Sequence, residues 1–144
     1  MLKLLRIFVV TSLVALMGVA VPVSAGSIKI GFNVPLTGFA AADGKSALIG
    51  AELAVEQVNA AGGINGDSLE LVVYDDQASP KESAPLAAKL ITKDQVVAGI
   101  SGSYSGATRA AATIYQENST PYISACAVHP DITRSGDYVF RTSF

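Results

Sequence analysis

The chain has 144 residues, ten of them basic and twelve acidic, with a formal net charge of −2. That balance offers no basic footprint for nucleic acid. One histidine (His129) and one cysteine (Cys126) make neither a metal-ligand cluster nor an internal disulfide.

The first element is a leader. Lys3 and Arg6 form a basic start, and an apolar run from Ile7 to Val21 follows, broken only by Thr11, Ser12 and Gly18. Val23-Ser24-Ala25 then supplies small residues of the kind cleaved by signal peptidase. Met1–Ala25 therefore reads as a cleaved secretory signal, and the product as periplasmic or extracellular. An uncleaved anchor is the alternative, since Ile7–Val23 approaches the shortest spanning length, but no basic stop-transfer cluster follows it. Taking 25 from 144 leaves 119 residues, with eight basic and twelve acidic side chains and net charge −4. That length suits one domain.

Beyond Ala25, strand and helix patterns alternate. Ile28–Val34 is an apolar run of strand length. Pro35 and Gly38 break it, and a loop runs to about Gly44. The spacing of Leu48, Ala51, Val55 and Val58 predicts a helix over Ser46–Ala60, stopped by Gly62-Gly63. Leu69–Tyr74 is a second strand. Ser79-Pro80-Lys81-Glu82 has the pattern of a capping box and opens a helix to about Lys93, with Pro85 expected to remove one bond and kink it. Val96–Ser101 is a third strand and Ser105–Asn118 an alanine-rich third helix. Pro121–Ser124 and Tyr138–Thr142 read as short further strands, the last an exposed edge.

This order predicts an α/β fold with a doubly wound parallel sheet. Ligands on such sheets sit beyond the carboxyl ends of the strands, where strand order reverses. That nominates three loops: Leu36–Lys45, Gly102–Ser105 and Ala125–Asp131.

Within them, Gly102-Ser103-Tyr104-Ser105-Gly106 joins a strand to a helix. Its small residues and the helix start favour an anion such as a carboxylate, with Ser103 and Ser105 as hydroxyl donors. The competing reading is that one serine only caps the helix. The run lacks the Gly-Lys-Ser/Thr of a phosphate loop and has Tyr104 where a nucleophile elbow needs serine. His129 has the loop position of a ligand contact, or of a plain exposed side chain. Asp75-Asp76 read as turn-shaping carboxylates. Asp43 is either a helix cap or a group facing the ligand. Cys126, just after a buried strand, reads as a small inert apolar side chain. No credible nucleophile, base and orienter occur together, so no catalytic residue, metal or cofactor is assigned.

Four segments carry a resemblance: IKIGFNVPLTG (28–38), GAELAVEQVNAAGGINGDSLELVVYDDQASP (50–80), GSYSGATRAAATIY (102–115) and PYISACAVHPDIT (121–133). The chain resembles the periplasmic binding proteins of branched-chain amino-acid ABC transporters, the Leu/Ile/Val-binding type. The resemblance implies two doubly wound lobes of the type I periplasmic binding fold that close on a small ligand, with a membrane permease as partner. It implies a longer chain, so that 26–144 would be the amino-terminal part of an incomplete first lobe. It places Ser105 on the ligand carboxylate, with the Cys126 carbonyl and Val128 amide as further contacts. Four positions depart from the pattern. Val128 stands for a threonine, Asp43 for an aromatic residue, and Ala78 and Tyr104 for a disulfide found in some members. These departures leave open a more polar or cationic ligand, or an aromatic acid stacked on Tyr104, beside leucine, isoleucine and valine. The implied function is solute capture for import; a ligand sensor of the same fold and an exported α/β enzyme are the alternatives.

Overall fold

The computed structural model describes residues 26–142, so the leader read at Met1–Ala25 lies outside the described residues. Five strands are present: β1 Ser27–Val34, β2 Ser68–Asp75, β3 Ala98–Ser101, β4 Tyr122–Ser124 and β5 Val139–Arg141. Three helices connect them: α1 Ala41–Ala60, α2 Pro80–Thr92 and α3 Ser105–Glu117. All strands pair in parallel, in the order β2-β1-β3-β4-β5. The chain goes from β1 to β2 on one side, then returns across β1 to place β3 on the other. The strand order therefore reverses between β1 and β3, and their carboxyl ends flank the crevice where such folds bind ligands.

The sheet is doubly wound. Helices α2 and α3 pack on each other and on β1, β4 and β5, while α1 packs on β2 and β1. The main core lies under α2 and α3 and holds Leu90, Ala111, Ala112, Tyr115, Tyr122, Ile132 and Val139, all buried. Each large apolar member contributes on the order of 1.5–3 kcal/mol by leaving water. Small residues let the layers approach. A side chain on Gly31 would begin 2.8 Å from the Tyr115 hydroxyl, so β1 leaves that space open for α3. On α1, Leu48, Ala51, Val55 and Val58 form the half-buried stripe that their spacing predicts.

Three local expectations change. First, α1 begins at Ala41 rather than Ser46, led in by a short 3-10 helix at Gly38–Ala40. Gly44, read as a loop residue, lies inside its first turn. A Cβ there would collide with the Pro35 carbonyl, so glycine permits the helix start to sit on the loop after β1.

Second, no capping box forms at Ser79, whose side chain makes no cap bond. The Ser79 carbonyl accepts from the amides of Glu82 (3.2 Å) and Ser83 (2.9 Å), and α2 runs unbroken through Pro85. Carboxylates organise this turn instead. Asp76 accepts from Ala78 N–H at 3.0 Å and Ser83 Oγ at 3.2 Å.

Third, the segment after β4 contains another short 3-10 helix at Pro130–Ser135, started by His129. Cys126 in that segment is exposed, and Ala127 takes the buried place. The small apolar role read for Cys126 thus finds no place in the core: the chain turns outward at Ala125 as β4 ends. The edge position of β5 follows the sequence reading, and Phe140 is half exposed there.

Candidate functional site

The site is built on the carboxyl ends of β1, β3 and β4. In register, Asn33 pairs with Ser101 and Ser101 with Ser124, so the three following loops emerge side by side. The loops after β1 and β3 touch directly. Gly102 N–H donates to the Asn33 carbonyl at 2.7 Å, and a Cβ on Gly102 would sit 2.9 Å from Pro35 Cδ.

The first loop is tied down by β2. The Asp75 carboxylate accepts from Leu36 N–H (2.8 Å), Gln77 N–H (2.9 Å) and Thr37 Oγ1 (2.5 Å). Slight burial pushes its pKa up, but these hydrogen bonds outweigh it and hold the carboxyl below its ordinary value. Its neighbour Asp76 is raised by burial, with the Ala78 and Ser83 hydrogen bonds opposing. The turn-shaping role read for both from sequence holds.

The loop after β3 presents Ser103, Tyr104 and Ser105, all half-buried. Tyr104 is the N-cap of α3, in an extended conformation, and makes no side-chain cap bond. Ser105 is the first helical residue. Neither serine acts as the cap, and Thr108 N–H is the first α3 amide bonded back to Tyr104, at 3.0 Å. The amides before it, at Ser105, Gly106 and Ala107, have no partner within the helix.

Tyr104 reaches across the crevice. Its hydroxyl donates to Asp43 Oδ2 at 3.0 Å, which pushes the phenol pKa up. Asp43 lies in the first turn of α1, and the N-cap position falls to Ala40. The Phe39 ring meets Tyr104 edge-on, with centroids 5.3 Å apart and planes at 84°. Phe39 is 80% exposed, and sequence reasoning missed it. Its signal was a large apolar residue directly after Gly38 in a nominated loop.

The loop after β4 holds Cys126, Val128 and His129. It is braced from β5: Thr142 Oγ1 donates to the Ala125 carbonyl at 2.9 Å, and Arg141 donates to the Val128 carbonyl. The Val128 side chain is exposed. His129 is exposed too, and its Nδ1 accepts from Asp131 N–H at 3.2 Å, so it shapes the following turn. Among the described residues, no hydrogen bond joins Ser103 or Ser105 to Cys126, Val128 or His129. The structure thus unites Asp43 with Tyr104 and sets the other five positions, Ser103, Ser105, Cys126, Val128 and His129, on adjacent loops.

A polar cavity of about 500 Å³ lies off this edge, bounded by Pro80, Gly106, Arg109, Asp131 and Arg134. Its arginines are both paired with Asp131, at 3.5 and 2.6 Å. Among the described residues, no group of three or more His, Cys, Asp or Glu side chains can hold a metal, and no helix is long and apolar enough to cross a membrane.

Residues 27–144 match the family model described as periplasmic binding protein. The chain belongs to that family. Its members bind solutes rather than catalyse reactions, and membership supports a place outside the cytoplasmic membrane, periplasmic or extracellular. The leucine-, isoleucine-, valine-, threonine-, and alanine-binding protein of Pseudomonas aeruginosa is 38% identical over 120 residues, covering 83% of this chain and 32% of that protein. Among solved structures, the branched-chain amino acid transporter substrate binding protein LivJ from Streptococcus pneumoniae, in complex with isoleucine, superposes with a TM-score of 0.78 and 39% identity. That match covers 82% of this chain and 34% of LivJ. A solute binding protein of an ABC transporter from Rhodopseudomonas palustris, in complex with 3,4-dihydroxy benzoic acid, gives 0.75 and 30%, covering 82% of this chain and 32% of its own. The chain spans about a third of the length of the curated relatives it matches.

Proposed function

We propose that this chain belongs to the solute-binding component of an ABC transporter, which captures an amino acid or related small carboxylate outside the cytoplasmic membrane and delivers it to a membrane permease. The observation that carries this reading is the start of α3. A helix with no side-chain cap begins at the strand-order reversal, and Ser105 opens it. Unpartnered amides and a hydroxyl at a helix N-terminus suit a ligand carboxylate. The Cys126 carbonyl and the Val128 amide, one loop away, are the further backbone contacts, with Ser103 and His129 at the periphery. In this reading Met1–Ala25 is the cleaved export signal and 26–144 the amino-terminal part of the first lobe. The names of the relatives support an amino acid or aromatic acid as ligand.

The test is calorimetry on the intact protein. Ser105→Ala should weaken carboxylate binding by about 1.5–3 kcal/mol, the range for a hydrogen bond to a charged group. Ser103→Ala should cost less. Unchanged affinity for Ser105→Ala would remove the carboxylate role.

A further inference from the structure

We propose that Asp43, with the rings of Phe39 and Tyr104 beside it, holds a positively charged group on the ligand whose carboxylate Ser105 takes. This rests on the carboxylate reading of Ser105 and names the ligand class more narrowly: a carboxylic acid bearing a distal ammonium, guanidinium or quaternary ammonium group.

Three observations converge on that chemistry. The first is place. Asp43 and Phe39 come from the segment after β1, Tyr104 from the loop after β3, and Tyr104 directly precedes Ser105 in the chain. A group that touches Tyr104 is therefore next to the carboxylate position.

The second is charge. The polar partner of Asp43 is the neutral phenol of Tyr104, which gives it no ion-pair partner. Among the described residues, the salt bridges all centre on Asp131 and none reaches Asp43. The phenol occupies Oδ2 and leaves Oδ1 for a second donor.

The third is the exposed aromatic surface. Phe39 contributes nothing to the buried core, yet it is held edge-on against Tyr104. Electron-rich ring faces beside a carboxylate attract cations, more so as closure removes water. The hydrogen bond to Asp43 keeps Tyr104 protonated and fixes its orientation. A helix-start aspartate alone has an explanation in the helix dipole. That explanation does not account for the two rings gathered around it.

The experiment is an amide NMR titration of the chain with L-lysine and L-norleucine, which share a four-carbon side chain and differ by the terminal ammonium. Wild type should bind lysine about three- to tenfold more tightly, the size of an exposed cation–π contact with a weak ion pair. Asp43→Asn, which keeps an acceptor for Tyr104, should cut that preference to the part the rings supply and leave norleucine unchanged. Phe39→Leu should reduce it. Equal binding of the two probes by wild type, or equal weakening of both by Asp43→Asn, would overturn the proposal. Ser105→Ala separates the two readings. Loss of both probes supports the carboxylate site. A lysine preference that survives with no loss from Ser105→Ala removes the carboxylate site and leaves the cation subsite standing. No shift at Ala41–Lys45 or Gly102–Ala107 with either probe removes both.

Discussion

Tyr115 and Tyr122 stack face to face, with ring centroids 4.4 Å apart and planes 9° from parallel. One belongs to α3 and the other to β4, and both are fully buried. The pair clamps the helix that begins at Ser105 onto the strand that leads to Cys126. An aromatic pair of this kind adds about 0.5–1.5 kcal/mol beyond the area it buries. Two elements that support the candidate site are therefore fixed by one contact in the core.

The room for that contact comes from glycine. A Cβ on Gly99 would run into the Tyr115 ring. Gly99→Ala should destabilise the fold by about 1–3 kcal/mol through overpacking. Gly50→Ala, on the open face of α1 with nothing within 4 Å, is the control. It should stabilise by up to about 1 kcal/mol from helix propensity alone. Urea midpoints measure both, and a Gly99→Ala protein as stable as wild type would show that Tyr115 has another resting place.

Gly44 poses a sharper contrast, because helix propensity and packing oppose each other there. Alanine would gain roughly 1 kcal/mol as a helix former, but its Cβ would meet the Pro35 carbonyl. Gly44→Ala should be destabilising overall and should displace the turn that carries Asp43. Thermal melts beside Gly50→Ala decide the sign. A stabilised Gly44→Ala would mean that α1 does not rest on the loop after β1.

The neighbours Asp75 and Asp76 should titrate with opposite consequences. Asp75 has a folded pKa below its ordinary 3.8, so its contribution is present above that value and is lost as pH falls through the lowered one. Asp76 has a folded pKa above 3.8, so its contribution is full below 3.8 and is lost as pH rises through the raised one. Asp75→Asn should therefore flatten the loss of stability in acid. Asp76→Asn should gain on wild type as the pH rises toward neutral. Urea unfolding from about pH 3 to about pH 7 measures both slopes. Parallel slopes for the two variants would contradict the assignment.

Export makes a separate prediction. Exported protein should begin at Gly26 when sequenced from its amino terminus, as cleavage after Val23-Ser24-Ala25 requires. A membrane-held product that retains Met1 would show an anchor instead.

The fold was legible because its signals are local. Buried parallel strands read as apolar runs such as Ile28–Val34, and Gly62-Gly63 marks the end of α1 within a residue or two. The strand-order rule then names the edge where β1, β3 and β4 end side by side. What escaped depends on contacts remote in sequence. Gly44 looks like a breaker until Pro35 is seen beneath it. The bond between Tyr104 and Asp43 spans 61 residues, and no periodicity encodes it. An aromatic residue in a loop has the same sequence signature whether it enters the core or stands in water, as Phe39 does. Cys126 lies one step of alternation from burial: β4 ends at Ser124, and the buried position after it falls to Ala127.

The two hydrogen bonds from the loop after β1 to Asp75, given by Leu36 N–H and Thr37 Oγ1, bear on how this loop would take part in the proposed binding. Leu36 and Thr37 are held by the terminal carboxylate of the adjacent strand, so this part of the wall loses its conformational freedom when the protein folds rather than when a ligand arrives. Ordering entropy then weighs little against affinity on this side. In the proposed solute-binding role the segment would meet a ligand already shaped, and selectivity there would be a matter of fit to a rigid surface rather than of a loop's capacity to adapt.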